Sequence, residues 1–179
     1  MLLQIQSQKL WAEKQIKILK NMINKSQILK IIKITLKKLD TKYYSDQAVD
    51  LMYNTGLVES NYQYLRQLGD GPARGFFQME GATAVDICKN YLCYRPKLMG
   101  KIENICFLNN FVIPASDQKQ LEFLLETNIG FSILMTRLHY RRVPKPLPYT
   151  LEDQAIYWKA YYNSHLGKGT VEKFIEICK

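Results

Sequence analysis

The chain predicts a mainly α fold, and three observations support that expectation. Apolar residues return at helical spacing along most of its 179 residues. Residues suited to open a helix (Ser26, Ser45, Thr150, Thr170) stand just ahead of those stretches. Strand signals, meaning runs of alternating β-branched and polar residues, are almost absent.

The first expected helix lies in a basic arm. Ile28, Ile32, Leu36 and Leu39 recur at helical spacing, and Lys30, Lys33, Lys37 and Lys38 fall largely on the other face, with Ser26 as the expected N-cap. Residues 1–40 hold nine lysines, no arginine and only two acids, Glu13 and Asp40, a local net of +7. The other 139 residues carry sixteen basic and fourteen acidic side chains, so the body is nearly neutral. We therefore divide the chain into a basic amphipathic helical extension, 1–40, and a main domain, 41–179. Three readings of the arm stand open: a solvated helix packed by one stripe on the body, a contact with a membrane surface or anionic polymer, or an appendage with no role of its own.

A stronger helix is expected from Ser45, where Ser45 and Asp46 suit its N-terminus and its dipole. Val49, Met52, Tyr53, Gly56 and Leu57 share one face. Gly56 on that face costs about 1 kcal/mol against Ala, which points to close approach by another segment. "GDGPARG" reads as a loop, since Gly69, Gly71 and Gly75 permit positive φ and Pro72 blocks regular pairing. A helix is expected from about Glu80 to Tyr94. A long helical region then follows Ser116, carrying Leu121, Leu124, Leu125, Phe131, Leu134, Met135 and Leu138, with Gly130 as its divider. "VPKPLPYT" is a connector, Thr150 with Asp153 resembles a capping box for the helix holding "AIYWKAYYN", and Thr170 caps a last short helix.

Bulk properties narrow the class. The length suits one core rather than two large domains. Cys88, Cys93, Cys106 and Cys178 form no CxxC pair, and neither His139 nor His165 lies near a cysteine, so the thiols read as reduced and mostly buried, and no metal or cofactor is expected. No run reaches the ~18 uninterrupted apolar residues of a membrane span. The first twenty residues, broken by Gln and Lys, do not form a secretory signal, which implies synthesis in a cytoplasm.

The stretch from Gly56 to Glu80, "GLVESNYQYLRQLGDGPARGFFQME", holds the candidate chemistry. Glu59 ends an apolar helical face. Partial burial raises a carboxyl pKa, and the negative end of a helix disfavours another negative charge. Both keep a proton on the group, as an acid catalyst near neutral pH requires. A solvated glutamate at a fraying helix end is the alternative.

"ES", then "GPARGFFQMEGATAV", then "AYYNSHLGKG" resemble the lysozyme-like superfamily, in particular the group of soluble lytic transglycosylases and goose-type lysozymes. Its members read E-S, then G-A-x-G-x-x-Q with T-A shortly after, then A-Y-N-x-G near the end. The matching positions are Glu59–Ser60, then Pro72–Ala73–Arg74–Gly75–Phe76–Phe77–Gln78 with Thr83–Ala84, then Tyr161–Tyr162–Asn163 with Gly167 for the nearer glycine. The version found here looks most like proteins of bacterial viruses and prophages, and the resemblance covers roughly residues 45–179. It departs from the family in lacking Pro shortly after the Gln and in the bulk of Phe76 and Phe77.

The resemblance implies a lysozyme-like helical domain with a small Gly-rich loop lobe. It implies a peptidoglycan glycosidase that cleaves the N-acetylmuramic acid–β-1,4–N-acetylglucosamine bond with Glu59 as single general acid/base. Gln78 would bind sugar or help fix Glu59, Ser60 would support the acid, and Tyr162 with Asn163 would line the cleft. Gly75 and Phe77 complete the expected substrate-binding set, with Gly75 letting backbone approach the saccharide. A core role for Tyr162 and a helix C-cap role for Asn163 stay open. Glu80, Asp70 and Asp86 are the candidates for a second carboxylate. Arg141 and Arg142, beside His139 and Tyr140, read either as a solvated basic cluster or as a contact for acidic wall peptides. The expected partners are glycan strands of peptidoglycan and other virion proteins, with action at the wall as part of a virion or as a late lysis protein. A non-catalytic virion protein that uses the cleft for binding is one rival; a nucleic-acid tether built on the basic arm is another.

Overall fold

The computed structural model describes residues 24–108, 117–163 and 167–179. Residues 1–21 of the arm, and also Ser116 and His165, lie outside the described residues. The chain is mainly helical. Its elements are α1 (Lys25–Leu39), α2 (Asp46–Ser60), β1 (Ala73–Arg74), β2 (Met79–Glu80), α3 (Gly81–Ile87), α4 (Pro96–Ile105), α5 (Gln118–Thr127), α6 (Ile129–Arg141), α7 (Leu151–Trp158) and α8 (Val171–Cys178). The strands form an antiparallel hairpin with Ala73 opposite Glu80 and Arg74 opposite Met79. The loop expected after α2 thus pairs in spite of Pro72, because the pairing begins one residue beyond the proline.

The basic arm is not separate from the body where it is described. Ile28, Ile32, Leu36 and Leu39 are buried in the same hydrophobic cluster as Val49, Met52, Leu134 and Leu138. Burying each such side chain contributes about 1.5–3 kcal/mol. Residues 25–39 therefore pack into the main core. The opposite face keeps Lys30, Lys37 and Lys38 exposed. Asn24, not Ser26, caps α1: its side chain accepts from the Ser26 amide at 2.9 Å, since the helix begins two residues earlier than expected.

At the centre lies α6. Phe131, Leu134, Met135 and Leu138 are all buried, and the helix packs against α1, α2, α3, α4 and α5. The break between α5 and α6 falls at Asn128 rather than Gly130. The Asn128 side chain accepts from the Phe131 amide at 2.9 Å, so Gly130 sits inside the first turn it was expected to interrupt. Helix α4, which the pattern did not announce, buries Leu98 and Ile102, one turn apart.

Three caps fall where the sequence places them. Ser45 Oγ accepts from the Ala48 amide at 3.1 Å, Thr150 Oγ1 from Asp153 at 3.1 Å, and Thr170 Oγ1 from Lys173 at 3.2 Å. Close approach at Gly56 is also present. Asn61 and Tyr62 take positive φ of 49° and 56°, which turns the chain back so that the Tyr62 ring lies against Gly56. A Cβ at residue 56 would collide with that ring. All four cysteines are free thiols; Cys88 and Cys106 are buried, whereas Cys93 is exposed. Among the described residues no helix is long and apolar enough to cross a membrane.

Candidate active-site cleft

The end of α2, the β-hairpin, the turn after α7 and the start of α8 enclose a cavity of about 800 Å³. Glu59, Gln78, Tyr162 and Asn163 all line it, although they are spread over more than a hundred residues of chain. Four of the seven expected site residues are thereby brought together.

Glu59 is the last residue but one of α2. Its Oε1 accepts a hydrogen bond from the Trp158 indole N–H at 2.9 Å. Burial pushes its carboxyl up to about 7, against the weaker opposing effects of the Trp158 donor and the Lys173 ammonium. Near neutrality the protonated and ionised forms therefore coexist, the condition under which one carboxyl can both give and take a proton. Trp158 is itself fixed: it is buried, and its ring packs on Phe174 with centroids 5.2 Å apart.

Helix α7 continues into a π-helical turn, Lys159–Asn163. The wider turn shifts the register and brings Tyr161, Tyr162 and Asn163 to the cavity wall. The Tyr162 hydroxyl donates to the Phe77 carbonyl at 2.7 Å, while its ring stacks on Tyr140 at 5.3 Å. Tyr162 is thus both a packed aromatic and part of the wall. Asn163 accepts from Lys159 Nζ at 2.9 Å, and the same ammonium donates to the Gly167 carbonyl at 2.8 Å.

Gln78 takes φ of 47°, and its amide nitrogen donates to the Gly75 carbonyl at 2.7 Å. It faces the cavity, but Trp158, not Gln78, holds the acid. Ser60, Gly75 and Phe77 do not line the cavity. Ser60 is buried, donating to the Phe76 carbonyl at 2.6 Å and accepting from the Tyr62 amide at 3.1 Å. Gly75, with φ of 72°, packs under the Leu125 carbonyl and Ser132. Phe77 is buried and offers only its carbonyl, to Tyr162. The tight turn over Gly75–Gln78 sends both phenyl rings into the core and Gln78 outward. These three residues position the wall from beneath.

Of the candidate second carboxylates, Glu80 lines the cavity from β2 and is exposed to solvent. Asp70 and Asp86 do not line it. Asp86 accepts from Asn90 at 2.6 Å and from Arg142 at 2.7 Å, and those bonds hold its carboxyl below the usual range. The basic cluster expected at 139–142 accordingly divides: Arg142 pairs with Asp86, Arg141 is exposed, Tyr140 is buried and His139 faces the cavity.

Trp158, His139 and Lys173 also line the cavity with Glu59, a place the sequence expectations assigned to none of them. Two of them had a signal. Trp158 stands four residues before Tyr162, and His139 four after Met135, so each shares a helical face with a residue already assigned inward. His139 Nε2 lies 2.7 Å from the Tyr161 carbonyl, and burial presses the imidazole pKa down. Lys173 had no local signal. Among the described residues, no group of His, Cys, Asp and Glu side chains is placed to hold a metal ion.

No protein-family model, no curated protein and no solved structure matches this chain.

Proposed function

We propose that the protein is a peptidoglycan glycosidase that cleaves the N-acetylmuramic acid–β-1,4–N-acetylglucosamine bond by a lytic transglycosylase mechanism, with Glu59 as its one acid/base. The observation that supports this reading above all is a carboxyl held at a pKa of about 7, facing an 800 Å³ cavity that Gln78, Tyr162 and Asn163 share. In this reaction Glu59 donates its proton to the bridging oxygen as the C1–O bond breaks. The C6 hydroxyl of the muramic sugar then closes on C1, and the ionised Glu59 takes that hydroxyl's proton, which leaves an anhydro end and restores the acid. The Trp158 N–H steadies the carboxylate in the interval. The aromatic and amide groups of the wall suit a saccharide, which offers apolar faces and a rim of hydroxyls.

The solvent-facing Glu80 supports a second version, in which water rather than the C6 hydroxyl attacks and the product keeps a reducing end. A protein that binds glycan through this cleft without cutting it, as part of a virion, is the non-enzymatic reading. Purified wild-type chain incubated with peptidoglycan should release muropeptides one water lighter than their reducing counterparts. Glu59→Gln should lower that release by about 10²–10⁴-fold. Products of full mass would move the assignment to a hydrolase, and equal release by the variant would end the enzymatic reading.

A further inference from the structure

A second cavity, of about 590 Å³, lies away from the cleft and shares no lining residue with it. Its polar wall is cationic: Lys42, Arg95, Lys97 and Arg141 line it beside Tyr43, Tyr91 and Tyr94, and no acid is among the lining residues. All four cations are solvent-exposed, and none of them forms a salt bridge among the described residues. The lining runs through the start of α4, where no side chain caps the helix and the first turn holds no acid, so its positive end is uncompensated.

Arg137 does not line the cavity but lies behind its wall, against Tyr43. It is 5% exposed, and Nη1 is buried without a hydrogen-bond partner. Its Nε donates to the carbonyl of Tyr43, a lining residue, at 2.7 Å. A buried guanidinium with no carboxylate beside it is costly, and a nearby anion offsets that cost.

We propose that this cavity binds a small phosphate-bearing ligand. Four cationic heads and a helix N-terminus exceed what one carboxylate can satisfy, whereas the two arginines present forks that match phosphate oxygens. Arg95 is already seated over the Tyr91 ring, 3.9 Å from its centroid, with Nη1 donating to the Tyr91 carbonyl at 2.8 Å. At 74% exposure the Tyr94 side chain leaves an aromatic surface for a ring attached to the phosphate. The site does not depend on the chemistry proposed for the cleft.

Titration calorimetry on the full chain, with pyrophosphate, glycerol phosphate and citrate as separate probes, tests this. The phosphates should bind saturably and more weakly as salt rises. Lys97→Gln combined with Arg141→Gln should weaken that binding about tenfold or more, since two charge-assisted contacts are lost. Both side chains are exposed, so the double variant should keep the wild-type far-UV circular dichroism. Glu59→Gln should bind the phosphates as the wild type does. Pyrophosphate should also raise the melting temperature of the wild type, because it binds the folded chain alone. The proposal is overturned by any of three results: no saturable binding at millimolar phosphate, binding unchanged in the double variant, or citrate binding as tightly as pyrophosphate.

Discussion

Two carboxyls near helix ends meet opposite fates. Glu59, at the end of α2, has one neutral hydrogen-bond donor, Trp158, and burial drives its carboxyl up to about 7. Asp86, in α3, has a cationic partner, Arg142, as well as Asn90, and its carboxyl is held below the usual range. The side chain of Asp86 is 47% exposed, so little desolvation opposes those bonds. A carboxyl becomes a usable acid where water is removed and no full positive charge touches it. Where a guanidinium arrives, it becomes a brace between helices.

The largest effect expected from this contrast is on stability at alkaline pH. The Glu59 pKa is about 7 in the folded chain against 4.5 for a free glutamate. The folded state therefore binds more protons between those values. The contribution of Glu59 to stability is greatest below pH 4.5, falls as pH rises through about 7, and is level beyond. That fall amounts to about 3 kcal/mol. Glu59→Gln should remove it, so urea unfolding at alkaline pH should find the variant more stable than the wild type, with the gap closing toward pH 4.5. Parallel pH curves for the two proteins would break the comparison.

Trp158→Phe sharpens it. The indole N–H favours the ionised form of Glu59, so its loss should raise the acid's pKa further and move the alkaline limit of the proposed wall clearing upward, by up to about 1 pH unit. Loss of ring volume in a packed site should also cost about 1–3 kcal/mol in unfolding experiments. A pH profile that stays in place would show that Trp158 only packs. The smallest effect belongs to the brace. Arg142→Gln should cost less than about 1 kcal/mol, because the Arg142–Asp86 pair is partly exposed. It should leave the pH profile of the proposed wall clearing unaltered, since Asp86 stands outside the cleft.

Local patterns were legible where one short segment decides the outcome. Caps at Ser45, Thr150 and Thr170 were readable because the side-chain oxygen and the amide it caps lie three residues apart. Gly56 was readable because a glycine on a buried face implies an intruder, here Tyr62. The break at Asn128 was missed because a glycine draws the eye, although an asparagine cap starts a helix more firmly. The inward turn of Phe77 and Ser60 was missed because only the hairpin's register decides which residues of that loop face the cavity.

The sequence by itself determined that the chain is mainly helical, where several helices begin, and that Glu59 closes an apolar helical face. Those properties follow from spacing and capping, which act over a few residues. Only tertiary structure decided that Glu59 meets Trp158, ninety-nine positions away, that Arg142 meets Asp86 instead of a ligand, and that Arg141 joins Lys42 and Arg95 around a second cavity. Desolvation and charge pairing depend on which distant groups arrive at a site. Packing, which no local window contains, brings them there.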